Sequence, residues 1–280
     1  ENRVPKVLPD MEAVGLEWST EFNMPNKKTP RHAIDISEED GVRYLHFGSD
    51  WVQGAMRIAR PWSLELAYTR EMMAGLLLRQ ESAWPRSALL IGLGAGSLAK
   101  FIYRNLPDCR STVVEINPQV ELIASQYFKL PDDPLRLAVV IGDGADFMLT
   151  GQRRYDYILV DGFDPDARAG ALDTPPFYQA CRARLSDQGL LCVNLLGRSK
   201  GFAASVARLE TAFDGRIAVF PSCDSGNTIA LATAGTSIEI MIDEMRTHAL
   251  YLKKEMRLDL LPTIGRLQLA YPLPGGMFRL

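Results

Sequence analysis

"LLIGLGAGSLAKF", residues 89–101, decides how the rest of the chain is read. An apolar run ends in Gly92, Gly94 and Gly96, spaced two apart, and a helix-like pattern follows. Strand, bare turn and helix in that order let a phosphate, a nucleoside or a packed neighbour come close to backbone amides at a helix N-terminus. The turn lacks the lysine of a phosphate-binding P-loop, which argues against a nucleoside triphosphate. Its G-x-G-x-G spacing also differs from the G-x-G-x-x-G of dinucleotide binders.

Short apolar strands are expected at 88–91, 111–114, 137–141, 157–160 and 190–195. Helical patterns at 97–105, 118–128, 145–150, 175–185 and 200–213 lie between or after them. That alternation predicts a parallel sheet covered on both faces. "RIAVF" and "NTIALAT" then read as two strands closing the sheet with an antiparallel hairpin. The fold class expected is α/β, a Rossmann-like class I adenosylmethionine-dependent methyltransferase fold with a small N-terminal β-hairpin region.

Three segments follow. Residues 1–62 are an arm and hairpin region, with the arm over 1–30. "HAIDI" and "VRYLHF" flank an Asp40-Gly41 turn signal, and "WVQGAM" could add a third strand. Residues 63–235 are the catalytic domain, opened by a helix from an N-capping Ser63 with apolar positions 64, 68, 72 and 76. Residues 236–280 carry one helix, with Ile238, Met241, Ile242, Met245, Ala249, Leu252 and Met256 on one face. The Pro-rich tail after it is expected to pack on its own domain or on a second subunit.

Composition narrows the function classes. A net charge of −3 offers no general attraction to nucleic acid or to an anionic membrane. No apolar run reaches the roughly 20 residues of a membrane span. The four cysteines and three histidines are scattered, so no metal is expected and reduced thiols in a cytoplasmic protein are.

Two carboxylates favour a nucleoside at the glycine turn. Glu115 ends the second strand in "VVEINP", 19 residues past Gly96, where it could accept from both ribose hydroxyls. Asp143 and Gly144 follow the third strand in "VIGDGADF", where an acidic side chain could accept from an adenine amino group. The candidate cofactor-binding set is therefore Gly92, Gly94, Ala95, Gly96, Glu115, Asp143 and Gly144.

With "IGLGAG", "VVEINP" and "IGDGADF" in place, the chain resembles the spermidine synthase family from about Ile34 to Thr233. The most specific segment is "YDYILVDGFDPDARAGALDTPPFYQACRARLSDQGLL". The resemblance implies that Asp161 acts on the attacking amine and that Asp164, followed by Pro165, helps hold a polyamine. It also implies decarboxylated S-adenosylmethionine as co-substrate and a homodimer. Departures from the family pattern lie on the amine side. Ala95 stands where the family has an aspartate facing the donor's amine. Thr69-Arg70 replaces a tyrosine-histidine or tyrosine-glutamine pair, with Tyr68 one residue away. Cys223 replaces a late-loop tyrosine, and no glutamine is found near Ala33. Tyr68, Arg70 and Asp164 are the candidate substrate-binding residues.

These departures keep three functions open. One is an aminopropyltransferase. A second is a methyltransferase or related transferase using intact S-adenosylmethionine, which Ala95 would no longer repel and Arg70 could attract. The third is a non-catalytic nucleoside-binding protein.

Overall fold

The computed structural model describes residues 34–48, 52–81, 83–164, 168–223 and 226–280. The expected arm over 1–30, His32, Ala33, Trp51 and Pro165 lie outside them. Residues 32–280 make up one compact unit.

Its N-terminal part is a three-stranded antiparallel sheet: β1 (Ile34–Glu39), β2 (Val42–Phe47) and β3 (Val52–Arg57). Asp40 and Gly41 turn the hairpin, both with positive φ (49° and 73°), the geometry of a tight two-residue turn. "WVQGAM" thus supplies the third strand, paired with β2.

The expected helix from Ser63 is broken into α1 (Ala67–Glu71) and α2 (Gly75–Leu78), and Ser63 does not cap it. The cause is Tyr157, which inserts between the two pieces. Its hydroxyl accepts from Gly75 N at 3.1 Å and donates to the Met72 carbonyl. A Cβ on Gly75 would lie 2.7 Å from the Tyr157 ring, so glycine is what lets the phenol in.

The central layer alternates as the pattern requires: β4 (Ser87–Ile91), α3 (Ser97–Asn105), β5 (Arg110–Glu115), α4 (Pro118–Phe128), β6 (Leu137–Ile141), α5 (Gly144–Thr150), β7 (Tyr155–Val160), α6 (Pro175–Ala183), β8 (Leu185–Leu196) and α7 (Phe202–Ala212). Two further strands, β9 (Ile217–Val219) and β10 (Asn227–Thr233), complete a seven-stranded sheet of order β6-β5-β4-β7-β8-β10-β9. β4 to β8 are parallel, while β10 lies antiparallel between β8 and β9. This is the Rossmann-like methyltransferase arrangement, and the chain reverses its winding between β4 and β7. At such a reversal the carboxyl ends of the strands open into a crevice.

The C-terminal part departs from the expected single helix and tail. A short strand β11 (Glu239–Met241) precedes α8 (Ile242–Met256) and pairs with β12 (Met277–Arg279), and α9 (Leu261–Ala270) forms from the Pro-rich tail. Pro262 sits in the first turn of α9, where its missing N–H costs no helical bond. Ile240, Met245, Leu260, Ile264 and Leu267 join the core that also holds β4 and α3. No helix among the described residues is long and apolar enough to cross a membrane.

Replacing Tyr157 by Phe keeps the ring but leaves a buried N–H and a buried carbonyl unpaired. The expected cost is about 1–3 kcal/mol. The melting midpoint should fall by roughly 2–4 °C per kcal/mol in a chain of this size, measured by circular dichroism against wild type.

Candidate active site

All three glycines of the turn have positive φ: 95° at Gly92, 51° at Gly94 and 67° at Gly96. What comes close to them is first of all the protein itself. A Cβ on Gly92 would run into the carbonyl oxygen of Asp161, and one on Gly94 would lie 3.1 Å from the carbonyl of Gln53 on β3. One on Gly96 would lie 2.9 Å from Leu130. The bare turn therefore lets β7 and β3 close on the end of β4. Two backbone bonds lock this, Asp161 N to Ile91 O and Gly92 N to Val114 O, both 2.9 Å.

Glu115 stands at the end of β5 and is buried. Its Oε2 accepts from Leu93 N and its Oε1 from Asn117 N, both at 2.9 Å. Burial pushes its carboxyl above the usual value, and the backbone N–H bonds of Asn117, Leu93 and Ile116 oppose the rise. Each oxygen retains a lone pair beyond the one its amide uses. The next residue, Ile116, is 60% exposed, an apolar surface beside the carboxylate. Asp143 caps α5, its Oδ1 accepting from Ala145 N at 2.7 Å and Asp146 N at 3.1 Å. Gly144 is demanded by packing, since a Cβ there would collide with Ile91.

Asp161, at the end of β7, is held from two sides. Asn194 on β8 donates its Nδ2–H to Oδ1 at 2.8 Å, and the Tyr68 hydroxyl on α1 donates to Oδ2 at 3.2 Å. Burial pushes the Asp161 carboxyl above 3.8, and the Asn194 and Tyr68 hydrogen bonds pull it back. Burial and the Asp161 charge raise the Tyr68 phenol well above 10, so it stays protonated and donates. The Oδ1 of Asn194 is buried and finds no partner among the described residues. The structure thus joins Tyr68 and Asp161, two sequence candidates, directly, and adds on the other carboxylate oxygen an asparagine that sequence reading passed over. Its only sequence signal was a polar residue inside the apolar run "LLCVNLL".

Other candidates fall elsewhere. Asp164 is exposed, its Oδ1 accepting from Arg168 N at 2.8 Å. Ala95, expected beside the donor's tail, has its methyl packed against protein. It is 2% exposed, under Gly54 of β3 and within a cluster of Leu45, Met56 and Phe128. Arg70 is turned back on its own chain, its Nη1 bonding the carbonyls of Leu64 (3.0 Å) and Glu65 (2.7 Å). Cys223 is buried in the main core, within electrostatic reach of Tyr68. Past Asp164, Asp173 anchors the chain by accepting from Tyr178, Ser205 and Arg208.

Comparison with known proteins now bears on this geometry. Residues 65–195 match the family model for the spermine/spermidine synthase domain. A polyamine aminopropyltransferase of Neisseria meningitidis is 37% identical over 247 residues, covering 88% of this chain and 93% of that protein. This chain belongs to the spermidine synthase family. A second relative in that family, the polyamine aminopropyltransferase of Chromobacterium violaceum, is 35% identical and covers 84% of this chain and 89% of its own. The family shares its fold with methyltransferases. Human methyltransferase-like protein 13, solved with SAH, superposes with a TM-score of 0.60 at 26% identity over 69% of this chain and 93% of that one.

Replacing Glu115 by Ala removes an acceptor and also frees the amides of Leu93 and Asn117. Methylthioadenosine binding, measured by calorimetry, should weaken about tenfold or more. Glu115→Gln, which keeps an acceptor oxygen, should lose less.

Proposed function

We propose that this chain transfers an aminopropyl group from decarboxylated S-adenosylmethionine to an amine of a polyamine. The observation that carries the reading is the clamped carboxylate of Asp161 at the winding reversal, in a chain whose aminopropyltransferase relatives match it almost end to end. An ammonium is no nucleophile. A nearby carboxylate must orient the amine and take a proton as its nitrogen attacks the methylene beside the sulfonium. The new C–N bond forms, the C–S bond breaks with its electrons going to sulfur, and methylthioadenosine leaves as a neutral thioether.

Placement supports the following residue roles. Glu115 accepts from the ribose hydroxyls, and Ile116 offers a wall for the base. Asp143 keeps Oδ2 for the adenine amino group while Oδ1 caps α5. Gly92, Gly94 and Gly96 shape the turn. Asp161 is the proton acceptor, with Tyr68 and Asn194 fixing it. Asp164, three residues past Asp161 and exposed, adds negative charge for a cationic polyamine.

A methyltransferase reading rests on the fold shared with methyltransferase-like protein 13 and on the missing aspartate at position 95. Arg70 gives it no support, because its guanidinium is engaged with Leu64 and Glu65. A cytoplasmic homodimer completes the proposal and rests on family membership.

Mass spectrometry of the purified chain with decarboxylated S-adenosylmethionine and a diamine should show methylthioadenosine and a triamine in equal amounts. S-adenosylhomocysteine and a methylated product from intact S-adenosylmethionine would instead favour the methyltransferase. Asp161→Asn should abolish turnover while nucleoside affinity changes little.

The pH dependence has a definite sign. Because the carboxyl of Asp161 is raised, kcat/KM should fall as pH drops through a value above 3.8. Tyr68→Phe removes a bond that lowers that value, so the acid limb should move to higher pH.

A further inference from the structure

α1 is five residues long and has no side-chain cap at its N-terminus, so its orientation depends on what its side chains grip. Tyr68 and Glu71 lie three positions apart, on one face of it. Tyr68 reaches Asp161, and Glu71 turns into the core, 1% exposed. There its Oε2 meets Arg266 Nη2 of α9 at 2.6 Å, across 195 residues of sequence. Glu71 Oε1 and Arg266 Nε are both buried and find no other hydrogen-bond partner among the described residues. A carboxylate so deep, with one cation as its hydrogen-bond partner among the described residues, loses the contact that fixes its direction if that cation leaves.

We infer that Arg266, in the C-terminal helix α9, is a positioning residue for the reaction: through Glu71 it fixes the rotation of α1 and thereby brings the Tyr68 hydroxyl onto Asp161. The inference rests on the proposed function only in taking Asp161 as the proton acceptor. The groups facing these carboxylates are few. Asp161 meets Tyr68 from α1 and Asn194 from β8, and Glu71 meets Arg266 from α9. Cys192 of β8 lies within electrostatic reach of both carboxylates. Its thiol is raised well above the ordinary value by burial and stays neutral. Tyr157 holds the far end of α1 through the Met72 carbonyl, so losing Arg266 frees a rotation rather than detaching the helix.

The test needs no substrate. Asp161 is titrated by carbon-13 NMR of the full chain with labelled aspartate carboxyls, its signal assigned by its absence in Asp161→Asn. Tyr68→Phe should raise the apparent pKa of Asp161 by about one pH unit, the size of one hydrogen bond to a charged group. Arg266→Gln should raise it in the same direction, and Arg266→Gln combined with Tyr68→Phe should go no further than Tyr68→Phe alone. If Arg266→Gln does not fold, Arg266→Lys, which keeps the charge as a single ammonium without the guanidinium fork, should give a smaller rise. A lowered melting midpoint with a wild-type Asp161 titration in either variant would make Arg266 purely structural and overturn the inference. So would a Tyr68→Phe titration equal to wild type. Failure of aminopropyl transfer in the product assay would leave these titrations as they stand, so the two readings fail separately.

Discussion

The backbone carbonyl of Asp161 lies against the Cα of Gly92, in space that any side chain would fill. Everything at the site depends on this contact. It lets β7 run alongside β4 up to its last residue, and the Asp161 N–H to Ile91 bond fixes the register there. With β5 tied to the same turn through Gly92 N and through Glu115, the ends of three strands share one small patch of backbone. Glu115 and Asp161, the proposed ribose and proton acceptors, are thereby placed relative to each other by main chain, before any side-chain rotamer is chosen.

That arrangement divides the site into two parts with different supports. The proposed nucleoside part is built from the turn, Glu115 and Asp143, all at strand ends of one sheet. The proposed amine part is assembled from four distant pieces: Asp161 at the end of β7, Asn194 on β8, Tyr68 on α1 and, behind them, α9. Such a part can change its side chains without disturbing the sheet. This accounts for a chain that keeps the family's glycine turn and paired aspartates while differing at positions 69, 70, 95 and 223.

The same division governs what the sequence discloses. Strands β4 to β8 and the helices between them follow from local apolar period and length, and their observed bounds fall within a few residues of the pattern, apart from the early start of β8. The Asp40-Gly41 hairpin is equally local, because two residues with positive φ suffice to turn it. By contrast, the break at Gly75 comes from Tyr157, more than 80 residues away, and no periodicity around Gly75 reports it. The burial of Ala95 comes from Gly54, and the side-chain direction of Arg70 from the carbonyls of Leu64 and Glu65, which precede α1 although the apolar period extends the helix over them. Asn194 and Arg266 read as ordinary polar residues until the sheet and α9 bring them to Asp161 and Glu71.

The central claim is that the Gly92–Asp161 contact sets the position of the reacting carboxylate. It is tested most directly by the single-turnover rate of Gly92→Ala with decarboxylated S-adenosylmethionine and a diamine, both saturating. The added methyl must displace the Asp161 backbone while leaving its carboxyl chemically intact. The account predicts a fall of at least a hundredfold, the scale expected when a catalytic group is misplaced by about 1 Å. A folded Gly92→Ala protein turning over at the wild-type rate would contradict it.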